Sequence, residues 1–299
     1  RRDHVAIFMG HADDEVVVRF SLNTLPNVKT QYVNLYSGRV KTELPKLGVM
    51  IIKIPKGRVK EIVAELKARS DVTFAEPNYL IRALDTIPND PDWSNQYGLM
   101  AIRAPQGWAL NTGSTVVTVA VVDTGVDYNH EDLSSSIWIN PGETPDNGID
   151  DDGNGFVDDV KGWDFANDDN NSFDDHGHGT HVAGTIGAVG NNGKGVVGVN
   201  WNVKIMPLKF LDSSGSGSTS DAVSAIQYAT LMGAHIMSNS WGGTGFSQAL
   251  KNAIQAANDA GILFVAAAGN DGTNNDLLPK YPASYNVPNV VAVAATNHN

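Results

Sequence analysis

The stretch Thr115–Val122 reads Thr-Val-Val-Thr-Val-Ala-Val-Val, an almost unbroken β-branched run. A run of this kind suits a strand covered on both faces, as in a parallel sheet, and suits a half-solvated antiparallel strand poorly. Parallel neighbours need a long crossover between them, so this one segment commits the chain around it to alternating strands and helices. The later sequence meets that demand. Apolar runs at Val203–Leu211, His235–Ser238, Ile262–Ala268 and Val290–Ala294 predict further strands. His178–Ala188, Asp221–Met232 and Ser247–Ala260 predict the helices between them. The expected fold is α/β, an open and mostly parallel sheet with helices on both faces.

Residues 1–84 follow another pattern. Glu15–Phe20, Gly48–Ile54 and Val72–Ala75 read as strands and Val59–Ala68 as an amphipathic helix, with Glu76-Pro77-Asn78-Tyr79 after the last strand. This predicts a separate small α+β domain, an antiparallel sheet with helices on one face. The segment 85–91, with Pro88 and Pro91, reads as a linker, which leaves 92–299 as the larger domain.

Charge and cysteine content narrow the function classes. There are 33 acidic against 21 basic residues, a net charge of -12, so nucleic acid is not an expected partner. Cysteine is absent, which excludes a disulfide framework and thiolate metal sites. No apolar run approaches the length of a membrane span. The opening Arg1-Arg2-Asp3-His4 leads into no signal-peptide core, so an export signal is expected to be absent from this chain.

In open parallel sheets chemistry gathers beyond the carboxyl ends of the strands. There the sequence puts Asp123, in Val122-Asp123-Thr124-Gly125, then Ser240-Trp241-Gly242-Gly243, then Gly269-Asn270. Beside them comes Asp174-Asp175-His176-Gly177-His178-Gly179-Thr180-His181, three histidines at a helix start. Asp123, His178 and Asn270 have the logic of a Ser-His-Asp hydrolase: an acid that fixes the imidazole tautomer, a base, and an oxyanion donor. A helix N-terminus disfavours an imidazolium, so His178 needs a carboxylate partner to serve as a base. A zinc site of His176, His178 and His181 is the competing reading. It lacks the glutamate of a His-Glu-x-x-His helix.

Asp123-Thr124-Gly125, His178-Gly179-Thr180-His181-Val182-Ala183-Gly184 and Ala267-Ala268-Gly269-Asn270 resemble, in the same order, the subtilisin family of serine proteases. Asn89 to Asn111 and Leu211 to Ser218 resemble its thermitase branch. Residues 1–84 are more loosely similar to the family's inhibitory pro-domain. The resemblance implies a mostly parallel subtilisin-like sheet preceded by a ferredoxin-like α+β pro-domain that folds its catalytic partner and blocks its cleft. It implies a secreted endopeptidase that cuts protein and peptide substrates. The family's nucleophile lies in a Gly-Thr-Ser-Met-Ala-type segment beyond the oxyanion asparagine, and residues 271–299 contain none. Ser220 is the nearest imitation and reads as a helix N-cap. The chain alone is therefore expected to be catalytically silent and to be completed by a C-terminal fragment. A pseudo-protease that keeps the fold for peptide binding or inhibition is the alternative.

The same resemblance assigns Gly215, Ser216 and Gly217 to one wall of a peptide groove and Ser240, Trp241 and Gly242 to the other, with Ala268 and Gly269 at the primary pocket. Three calcium sites are expected. Asp150, Asp152, Asn154, Phe156 and Asp158 copy the first half of an EF-hand loop, though Lys161 stands at its twelfth position. By resemblance, Asp90, Asp132 and Asn192, with carbonyls of Val189, Lys194 and Val196, form a second. Asp164, Asn167, Asp169 and Asn171 match a third, with Asn167 in place of an acidic residue.

Overall fold

The computed structural model describes residues 10–80 and 85–296. The opening Arg1-Arg2-Asp3-His4 and the expected domain end at Leu84 lie outside them. The chain divides into two compact units, residues 1–83 and residues 84–299.

In the first unit the order is β1 (His11–Phe20), α1 (Pro26–Leu35), β2 (Arg39–Leu44), β3 (Val49–Lys53), α2 (Val59–Lys67) and β4 (Val72–Tyr79). The sheet runs β2-β3-β1-β4 with every pair antiparallel, the ferredoxin-like βαββαβ arrangement. Alternate residues Val16, Val18 and Phe20 of β1 turn one face inward against Val59, Ile62, Val63 and Leu66 of α2. Sequence patterning misses α1 and β2 for a physical reason. The helix α1 buries only Val33, and β2 is exposed along its whole length, so neither carries a hydrophobic period. β4 continues past Ala75 through Pro77 to Tyr79, which a proline permits because β4 is an edge strand. On β1, Glu15 is nearly buried between Lys41 Nζ at 2.5 Å and Asn78 Nδ2 at 2.8 Å. The hydrogen bond from Lys41, then that from Asn78, holds its carboxyl below the usual range.

The second unit begins with α3 (Tyr97–Ala101) and α4 (Ala104–Trp108), each too short for a periodic signal. It continues with β5 (Gly113–Asp123), β6 (Trp163–Asp164), α5 (His178–Gly187), β7 (Asn202–Lys209) and α6 (Thr219–Leu231). Then come β8 (Ile236–Asn239), α7 (Gln248–Asp259), β9 (Leu263–Ala267) and β10 (Val290–Val293). The sheet order is β10-β9-β8-β5-β7-β6, and all its pairs are parallel. Both faces of β5 are covered, as its β-branched run demands. Val119 and Val121 pack with Ala183 of α5, while Ala120 and Val122 join the core shared with α6 and α7. β5 is also the switch point, with β7 on one side and β8 on the other, so the crevice beyond its carboxyl end is where a site is expected. The cap of α6 is Ser218, whose side chain accepts from Asp221 N–H, and not Ser220, which is the second residue of the helix. None of the helices described is long and apolar enough to cross a membrane.

Candidate active site

Asp123 is the last residue of β5 and is fully buried. Its Oδ1 lies 2.7 Å from His178 Nδ1 and accepts the Thr124 N–H at 2.7 Å. With Nδ1 carrying the proton towards Asp123, Nε2 is left as the basic nitrogen. The His178 side chain is 43% exposed against 0% for Asp123, so the imidazole is open to solvent while the carboxylate is sealed from it.

Two residues that sequence reading passed over hold this pair. Asp174 Oδ1 accepts the N–H groups of His176 and Gly177 and the Thr124 hydroxyl, and Oδ2 accepts the Thr180 N–H and hydroxyl. Burial works against its ionised form, but the Thr180 hydroxyl and the backbone donors outweigh it and hold Asp174 below the ordinary carboxylate range. It thus satisfies the open amides at the start of α5 and complements the helix dipole. Thr124 Oγ1 in turn accepts the Gly179 N–H at 2.9 Å, tying the helix start to the strand end. The signal in the sequence is an aspartate four residues ahead of the helix. Gly179 is required by contact: a Cβ there would stand 2.0 Å from the Gly125 carbonyl oxygen.

A groove of about 610 Å³ opens beside His178. Its lining includes Gly215, Ser216 and Gly217 together with Ser240, Trp241 and Gly242. Trp241 is half-buried and packs edge-on against Phe210 with ring centroids 4.9 Å apart. Ala268, Gly269 and Asn270 follow β9 at the same carboxyl edge but do not line this groove, and Asn270 is not bonded to the Asp123–His178 pair. His176 lines the groove with its ring centroid 6.3 Å from that of His178. His181 is exposed along a second cleft of about 760 Å³, whose lining includes Leu99, Gly184, Thr185 and Val196. The three histidines therefore do not converge, as a zinc site would require.

Among the described residues one group of acidic side chains offers converging ligand atoms: Glu143, Asp150 and Asp152, all within 4.8 Å. Glu143 was missed, being seven residues upstream of the loop pattern. Its carboxylate accepts N–H groups of Asp151, Asp152 and Asp158. Asn154 bonds to Asp152, Phe156 N–H closes onto Asn154, and the Asp158 carboxylate turns away to Asn147 and Gly148. Beneath, buried Asp159 accepts from Asn140, Asn154 and the Tyr228 hydroxyl, and burial followed by that bond pushes the phenol upward. An all-oxygen cluster bonded by no basic side chain could hold a hard cation.

At the second expected site Asp90 and Asp132 are buried, and Asn192 joins them, its N–H to Asp90 and its amide to Asp132 Oδ1 at 2.7 Å. Val196 N–H closes on Asp132, and Lys194 N–H on Asn192; Val189 N–H donates to the Asp132 carbonyl. At the third, Asn167 Nδ2 donates to Asp164 Oδ2 at 2.8 Å. Asp164 caps Ala166 and Asn167, Asp169 caps Asn171, and Asn171 takes the Tyr128 hydroxyl.

A buried carboxylate bonded to a half-open imidazole lies at the switch point of a parallel sheet, beside a groove. The comparisons give the family. The model of the Subtilase family matches residues 114–299, and that of the fervidolysin N-terminal prodomain matches residues 10–78, so the chain belongs to the subtilases and carries their pro-domain. It is 33% identical over 288 residues to a thermophilic serine proteinase of Bacillus sp. strain AK1, covering 96% of this chain and 65% of that protein. It is 39% identical over 213 residues to thermitase of Thermoactinomyces vulgaris, covering 71% of this chain and 66% of thermitase. The chain thus spans just under two thirds of the length of these two relatives. The crystal structure of fervidolysin from Fervidobacterium pennivorans, described as a keratinolytic enzyme related to subtilisin, matches with a TM-score of 0.51 at 28% identity, over 94% of this chain and 43% of that one.

Proposed function

We propose that the chain is the pro-domain and N-terminal catalytic portion of a secreted, calcium-stabilised serine endopeptidase. The observation that carries this reading is the 2.7 Å contact between buried Asp123 and His178 at the mouth of the groove. In it, His178 Nε2 takes the proton of an incoming serine hydroxyl, Asp123 stabilises the imidazolium, and the same nitrogen returns the proton to the leaving amine. Asn270 donates to the oxyanion of the tetrahedral intermediate. A substrate backbone lies between the Gly215–Gly217 and Ser240–Gly242 walls. The serine comes from a Gly-Thr-Ser segment outside residues 1–299, and the apolar cleft along α5 supports a packing place for a completing fragment.

Calcium is the cation proposed for Glu143–Asp150–Asp152 and for Asp90–Asp132–Asn192, since both sets are oxygen donors without a basic partner. It supplies rigidity to the loops and takes no part in proton transfer. The assay is hydrolysis of a peptide ester after the serine-bearing segment is supplied in trans. Activity is expected to appear and to be lost in His178→Ala; hydrolysis that persists in that variant sinks the assignment.

A further inference from the structure

Lys209 closes β7 in the middle of the apolar run Leu208-Lys209-Phe210, yet it is 1% exposed. A buried ammonium is tolerable only when its hydrogens are all paired. Here they are: Nζ donates to the Thr124 carbonyl at 3.0 Å, to the Leu211 carbonyl at 2.7 Å and to Asp175 Oδ1 at 2.7 Å. These partners belong to three separate segments. Lys209 stands opposite Asp123 in the β5–β7 register, Thr124 directly follows Asp123, and Asp175 lies three residues before His178. Thr124 relays the contact further, since its N–H donates to Asp123 Oδ1 and its hydroxyl joins Gly179 N–H to Asp174. Lys209 makes no bond to Asp123 or His178, so it acts through the backbone on either side of them.

We propose that Lys209 is a positioning residue for the acid–base pair, a single ammonium that fixes the separation between the strand end carrying Asp123 and the loop leading into His178. This rests on the Asp123–His178 reading above. The test uses the full chain and needs no catalysis. It follows the deshielded His178 Nδ1 proton by NMR, assigned by its loss in His178→Ala. In Lys209→Met, of similar length but without charge, its exchange with water is expected to quicken about tenfold, the loss of one buried hydrogen-bonded restraint. Asp175→Asn, which keeps the loop end but removes the ion pair, is expected to give a smaller change in the same direction. Lys209→Met that stays folded by circular dichroism with exchange within twofold of the parent overturns the proposal. If Lys209→Met does not fold, an unaltered proton in Asp175→Asn overturns it. Absence of any such proton from the parent chain overturns the acid–base pair itself, and Lys209's role with it.

Discussion

At the residue scale, contact decides effects that composition alone would misjudge. Alanine in place of a helical glycine ordinarily stabilises by about 0.5–1 kcal/mol. At Gly179 the added Cβ would meet the Gly125 carbonyl at 2.0 Å, an overpacking that costs roughly 1–3 kcal/mol and reverses the sign. Gly179→Ala should therefore unfold at lower urea; equal or greater stability would contradict the contact. Asp174 makes a pH-dependent contribution. Its folded carboxyl titrates below the unfolded one, so the stability it adds is present above the unfolded value of about 3.9 and is lost as pH falls through the folded value. Asp174→Asn should cost about 2 kcal/mol near neutral pH. That deficit should shrink as pH falls through the folded value in chemical denaturation, and a deficit independent of pH would contradict the charged role.

At the element scale the loop from Glu143 to Asp159 holds seven carboxylates in seventeen residues. Three carboxylate ligand atoms within 4.8 Å repel one another, and a bound cation would reverse that cost. A ligand held at a hundred times its Kd stabilises a fold by about 2.7 kcal/mol. EDTA should lower the Tm by an amount that calcium restores and zinc does not, and Glu143→Gln should reduce the calcium-dependent part. A melting curve indifferent to both would refute the calcium assignment. Asp158 was legible as a ligand from loop spacing and Glu143 was not. In the fold Asp158, at φ 54°, accepts the Asn147 and Gly148 N–H groups, while Glu143 comes within 4.8 Å of Asp150 and Asp152.

At the scale of the whole molecule, residues 10–78 match a pro-domain model and form a ferredoxin-like unit. Residues 1–84 added in trans should inhibit a complete related subtilase, and no inhibition would count against the pro-domain's proposed action. The sequence alone determined the doubly covered sheet, because β-branched runs and amphipathic helices encode local periods that need no partner to be read. It also placed Asp123 and His178 by motif. Only the tertiary structure decided what surrounds them: Lys209, Asp174 and Thr124 converge from separate segments, His176 enters the groove and His181 leaves it. These are relations between segments up to 85 residues apart, as from Thr124 to Lys209. Hydrogen-bond satisfaction of buried groups is enforced in space and leaves no period along the chain.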